Sequence, residues 1–131
     1  MLSGERLLII EEVFLIALDI QRALETANAR QTVFARDFTE AKALEGRFGE
    51  FDLAIVNPPR PGSPEMQIAE RLKAAGVPIV VCTAARANLE STSLAGAEVV
   101  TKPFADAELI EACRRALAKR RSLETVGGDL R

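Results

Sequence analysis

Five side chains of complementary chemistry stand just beyond short apolar runs: Glu11 and Glu12 after Leu7 to Ile10, Asn57 after Leu53 to Val56, Thr83 after Val77 to Cys82, and Lys102 after Glu98 to Thr101. Two carboxylates, an amide, a hydroxyl and an ammonium make a set rich in binding chemistry and poor in catalytic chemistry. With no His in the chain there is no imidazole base, no imidazole ligand and no phosphohistidine, which removes most triads and any self-contained histidine relay. The amide of Asn57 is neutral and a poor nucleophile. Cys82 and Cys113 each lie in an apolar stretch and match no zinc spacing, so they read as free thiols in a reducing cytoplasm. No glycine-rich loop follows the first apolar run, where Glu11 and Glu12 would repel a phosphate.

Positioning these groups requires a sheet. The chain has 131 residues, 48% of them hydrophobic, with 17 Lys plus Arg against 19 Asp plus Glu, which suits one domain with a core of its own. A net charge of −2, few Phe, no Trp and no Tyr argue against a nucleic-acid surface. The longest apolar run, Val13 to Leu18, is too short to span a bilayer, and no basic-then-apolar leader opens the chain. Short aliphatic runs alternate with longer amphipathic stretches, the pattern of βα units around a parallel sheet. Strands are predicted at Leu7 to Ile10, Thr32 to Ala35, Leu53 to Val56, Val77 to Cys82 and Glu98 to Thr101. Helices are predicted over Val13 to Asn28, after the Asp37 cap with Glu40 three residues on, from Ser63 and Pro64 to the stop at Gly76, and over Asp106 to Arg121. A weak helix is predicted over Ala85 to Leu94, where Asn88, Ser91, Thr92 and Ser93 compete for the backbone. Lys119, Arg120 and Arg121 suit the carboxyl end of the last helix. Residues 122–131, with Gly127 and Gly128, read as a frayed tail behind a domain spanning 1–121.

In an open α/β sheet, chemistry gathers at the carboxyl ends of the strands. The fragments Ile9-Ile10-Glu11-Glu12, Phe51 to Asn57 with Pro61-Gly62 following, Val77 to Ala84, and Thr101-Lys102-Pro103-Phe104 occur in that order, each closing a strand. Together they resemble a response-regulator receiver domain, the CheY-like phosphoacceptor family, over nearly the whole chain. The resemblance implies an α/β three-layer sandwich of the flavodoxin-like type, with a five-stranded parallel sheet in the order 2-1-3-4-5 and helices on both faces. It also implies a phosphoacceptor pocket in which Glu11 and Glu12 match the acidic pair that helps hold Mg²⁺, Thr83 the hydroxyl and Lys102 the cation. Asn57 falls where the attacking Asp belongs, so the acyl phosphate is not expected to form. Pro58 and Pro59 add a second loss, because receivers grip phosphoryl oxygens with backbone NH groups in this loop and proline has none. The pocket is therefore degenerate, with no cofactor beyond a residual weak Mg²⁺ site at Glu12, Asn57 and Pro59. Lys102 is left free to pair with Glu12 or Glu11 and tie the pocket shut without metal.

Two features bear on output. Val99, three before Lys102, replaces the aromatic that many receivers rotate inward, and the span from Thr83 to Lys102 is short for the family. Val13 to Leu18 carries more apolar residues than one helix face needs, which fits either a helix wrapped by neighbours or a protein contact. Asp52 reads as a loop residue. The expected function is an atypical receiver in a bacterial two-component phosphorelay, not an enzyme. Its partner would be a histidine kinase or signalling effector, with a homodimer as the other partner the resemblance allows, and no nucleic acid or membrane. Alternatives are a receiver carrying an engineered Asp-to-Asn change at 57 and a flavodoxin-like small-ligand binder.

Overall fold

The computed structural model describes residues 2, 4–84, 92 and 94–129, with side chains in the last helix described as far as residue 120. The aliphatic runs form five strands: β1 (Arg6–Ile10), β2 (Gln31–Ala35), β3 (Leu53–Val56), β4 (Ile79–Thr83) and β5 (Glu98–Thr101). All pair in parallel, in the order β2-β1-β3-β4-β5. Strand β3 is buried along its whole length, as expected of a strand covered on both faces. Alternation divides the side chains between two layers. Leu7, Ile9, Leu53, Ile55, Val80 and Cys82 pack with Ile20, Leu24, Leu109 and Cys113 on one face. Leu8, Ala54, Val56, Ile79 and Val81 pack with Ala41, Met66, Ala69 and Leu72 on the other.

The helices are α1 (Phe14–Thr26), α2 (Phe38–Ala43), α3 (Pro64–Ala74) and α4 (Asp106–Asp129), with a 3₁₀ turn at Glu45–Glu50 after α2. The Asp37 side chain accepts from the Glu40 backbone NH at 2.9 Å. Glu40 does not complete the reciprocal bond of a capping box; it reaches one residue further back and accepts from the Arg36 NH at 2.8 Å. Ser63 caps α3 by accepting from the Met66 NH at 3.1 Å, with Pro64 in the first turn. Gly76, at φ 81°, lies just past the end of α3 in the left-handed region that only glycine enters freely.

Three expectations change. The last helix does not end at Arg121 but continues to Asp129, so the expected tail is helical over Ser122 to Asp129. No proline interrupts that stretch, and Gly127 and Gly128 weaken a helix without forbidding it. Lys119 and Arg120 therefore lie within the helix, and their charge is used elsewhere. Lys119 reaches Glu98 at 3.1 Å beside Arg115 at 3.2 Å, and Arg120 lies 3.8 Å from Asp52. Asp52 is more than a loop residue: its carboxylate accepts from the Arg6 NH at 2.8 Å, joining β1, β3 and α4 at the amino end of the sheet. The predicted weak helix falls mostly on residues outside the described ones.

Both thiols are free and buried. Burial pushes Cys82 up to about 11, with Lys102 pulling it down and Glu11 pushing it up, and burial pushes Cys113 up to about 12. A thiol held protonated and inaccessible does not attack electrophiles. The folded chain should take up no maleimide at neutral pH and two equivalents once denatured; intact-mass measurement before and after denaturation checks this.

Candidate functional site

Four of the five singled-out residues converge at the carboxyl ends of β1, β3, β4 and β5. Glu11 continues the line of β1 by one residue, its NH donating to the Ala35 carbonyl at 3.1 Å, and this turns its carboxylate into the protein. That side chain is only 2% exposed. Glu12, next along the chain, is exposed and joins none of these contacts. The acidic pair is thus divided into one buried partner and one surface charge.

Lys102 resolves the alternative between the two carboxylates. Its Nζ donates to Glu11 Oε1 at 2.6 Å and to Asn57 Oδ1 at 2.8 Å, with the lysine side chain 15% exposed. Asn57 Nδ2 in turn donates to Glu11 Oε2 at 3.2 Å, an oxygen that also accepts from the Val13 NH at 3.1 Å. The three side chains form a closed ring in which the amide serves both sides, giving its oxygen to the cation and its nitrogen to the anion. Charge-assisted bonds of this kind are shorter and stronger than neutral ones. Thr83 is buried at the end of β4 and enters through its backbone, its carbonyl accepting from the Lys102 NH at 2.7 Å. Lys102 and Pro103 are joined by a cis peptide bond.

Burial alone would push the Glu11 carboxyl up. The bonds from Lys102, the Val13 backbone and Asn57 outweigh it, together with the lysine charge, and hold the carboxyl below its ordinary value of 4.5. Glu11 is therefore an anion at neutral pH, and Lys102 is its counter-ion.

The donor set does not fit a magnesium ion. Mg²⁺ is bound through carboxylates and keeps several waters. Here Glu11 has one oxygen on an ammonium and the other on two NH donors, and the Asn57 oxygen is taken by the same ammonium. Of the weak site expected at Glu12, Asn57 and Pro59, only the exposed Glu12 offers an uncommitted anionic group.

Sequence reasoning missed the Val13 NH as a donor to Glu11; a carboxylate three residues before a helix start was the available sign. It also left α1 undecided. Phe14 and Leu15 are 65% and 71% exposed, with Val13 and Leu18 partly so, which removes the reading in which neighbours wrap this helix. Val13 and Asn57 bond to the same Glu11 oxygen, so the apolar start of α1 and the proline loop after β3 border one site. Val99 is exposed on β5, and no helix among the described residues is long and apolar enough to cross a membrane.

No protein-family model matches the chain, and no curated protein matches it. Solved structures do. A response regulator receiver protein from Sinorhizobium medicae WSM419 is 20% identical with a TM-score of 0.75, over 92% of this chain and 99% of that one. A CheY-like receiver domain protein from Methanospirillum hungatei JF-1 is 23% identical with a TM-score of 0.73, over 92% and 98%. The receiver domain of a sensor histidine kinase from Pseudomonas aeruginosa PAO1, with magnesium coordinated in its active-site cleft, is 22% identical with a TM-score of 0.69, over 88% and 99%. Strand order, helical layers and these neighbours agree: the chain has the fold of the CheY-like response-regulator receiver domains.

Proposed function

We propose that this chain is an atypical receiver of a bacterial two-component phosphorelay that acts by protein contact without being phosphorylated at position 57. The observation that carries the proposal is the Lys102 ammonium bonded at once to Glu11 and Asn57. In phosphoryl transfer a nucleophile attacks while cations offset charge on the equatorial oxygens. Here the cation is already neutralised, the group at the nucleophile's place is an amide, and Pro58 and Pro59 cannot donate backbone NH groups. Such a module is a binding protein and not an enzyme. Its degenerate pocket comprises Glu11, Glu12, Asn57, Thr83 and Lys102, and the reducing cytoplasm is its natural setting.

The partner we infer is a protein of the same signalling system, a histidine kinase or an effector. The exposed apolar start of α1, beside the closed site, supports a protein contact, since contiguous apolar surface on a small domain marks interaction sites. An engineered Asp-to-Asn change at 57 would account for the amide but not for Pro58 and Pro59, the second loss in the same loop.

Incubating the chain with acetyl phosphate and Mg²⁺ and reading intact mass tests the proposal. No acid-labile mass gain is expected. Stoichiometric phosphorylation at residue 57 would overturn it.

A further inference from the structure

An asparagine is a perishable residue. In an ordinary pair the backbone nitrogen of the following residue loses its proton and attacks the asparagine Cγ. A five-membered succinimide ring closes, and ammonia leaves with the side-chain nitrogen. Water then opens the ring to aspartate or isoaspartate, so that one water is consumed and one ammonia released. At position 57 that slow reaction would place a carboxylate between Glu11 and Lys102 and undo the neutral ring.

Pro58 bars the route. Its nitrogen is bonded to three carbons and has no proton to lose. Attack on Cγ would give a quaternary acyl-ammonium with no proton to lose, so the neutral succinimide of an ordinary pair cannot form. The proline is not demanded by packing, because Pro58 is exposed. It is also costly to phosphate handling, since it removes an NH from this loop. What it does accomplish is chemical. The amide it follows is the one group that bridges both charges of the site, donating to Glu11 at 3.2 Å and accepting from Lys102 at 2.8 Å.

We propose that Pro58 protects the identity of Asn57, keeping the site an amide by closing the succinimide path to aspartate. The chemistry stands by itself; its consequence for signalling rests on the reading of a receiver that works unphosphorylated.

The test compares the full chain with Pro58→Gly and Pro58→Ala, each incubated folded at mildly alkaline pH and sampled over weeks. Peptide mass spectrometry reads the gain of one mass unit and the appearance of isoaspartate at residue 57. Both variants should convert at least about tenfold faster than the parent, because only they carry an ionisable backbone NH at position 58. The same ratio is expected in denaturant, which keeps the comparison valid if a variant fails to fold. Equal conversion of parent and variants would overturn the proposal. So would folded variants that hold their amide as long as the parent, since the hydrogen bonds would then be the protection, and so would cleavage of the parent between Asn57 and Pro58. Phosphorylation of the fresh parent by acetyl phosphate would instead sink the functional reading and leave the deamidation ratio untouched.

Discussion

Replacing Lys102 by Met should cost the fold about 3–5 kcal/mol at neutral pH, the penalty for leaving a buried charge without its partner. Glu11 would keep its bonds from Asn57 Nδ2 and the Val13 NH but lose the only cation that touches it among the described residues. The double variant Glu11→Leu with Lys102→Met should recover most of that loss, since an apolar pair of similar volume is often as stable as the ions it replaces. Thermal melts of the parent, Lys102→Met and the double variant check the pattern. A drop of roughly 10 °C or more is expected for the single change. A single variant as stable as the parent would mean that Glu11 is already solvated.

The pH dependence of the same pair has a definite sign. In the parent the folded Glu11 carboxyl lies below its unfolded value of 4.5, so its contribution is fully present above 4.5 and is lost as pH falls through the lowered folded value. Without Lys102 the largest influence left is burial, which pushes the carboxyl up. In that variant acid relieves the unpaired charge, and the stability gap between parent and Lys102→Met should narrow from pH 7 toward pH 4. Urea unfolding at several pH values measures it.

Much of this arrangement was legible in the sequence because it depends on local order. Aliphatic runs bounded by breakers mark strands, and a residue just beyond a strand end is at the carboxyl edge of the sheet wherever the strand goes. Glu11, Asn57, Thr83 and Lys102 are therefore legible as one group from the sequence. The division of labour between Glu11 and Glu12 was not legible, because neighbouring side chains leave a strand on opposite sides and only the continued pairing of Glu11 with Ala35 shows which one faces inward. The same limit explains Asp52, whose partners Arg6 and Arg120 lie 46 and 68 residues away. The end of α4 departs from the sequence expectation for a different reason. Three consecutive basic residues resemble a helix terminus, but Lys119 and Arg120 are equally at home mid-helix when carboxylates such as Glu98 and Asp52 lie opposite.

On the proposed reading, placing a carboxylate at position 57 should give only half of a working phosphoacceptor pocket. Asn57→Asp puts a second anion against Glu11 and removes the Nδ2 donor that now satisfies Glu11 Oε2. With one lysine between two carboxylates, the site carries a net negative charge and becomes a better divalent-cation site, because Mg²⁺ favours anionic oxygen. Without metal the variant should be less stable than the parent, by about 1–3 kcal/mol for the lost donor and the new repulsion, and Mg²⁺ should return part of that loss by binding the folded form alone. The parent should show no such response. Phosphorylation by acetyl phosphate should become detectable in the variant yet stay well below that of an ordinary receiver, because Pro58 and Pro59 still withhold two backbone donors from the phosphoryl oxygens. Melting curves with and without Mg²⁺, followed by intact-mass kinetics, separate the two deficits. If Asn57→Asp alone reached the rate of an ordinary receiver, the proline loop would be irrelevant to phosphate handling, and the amide would be the single lesion in an otherwise working pocket.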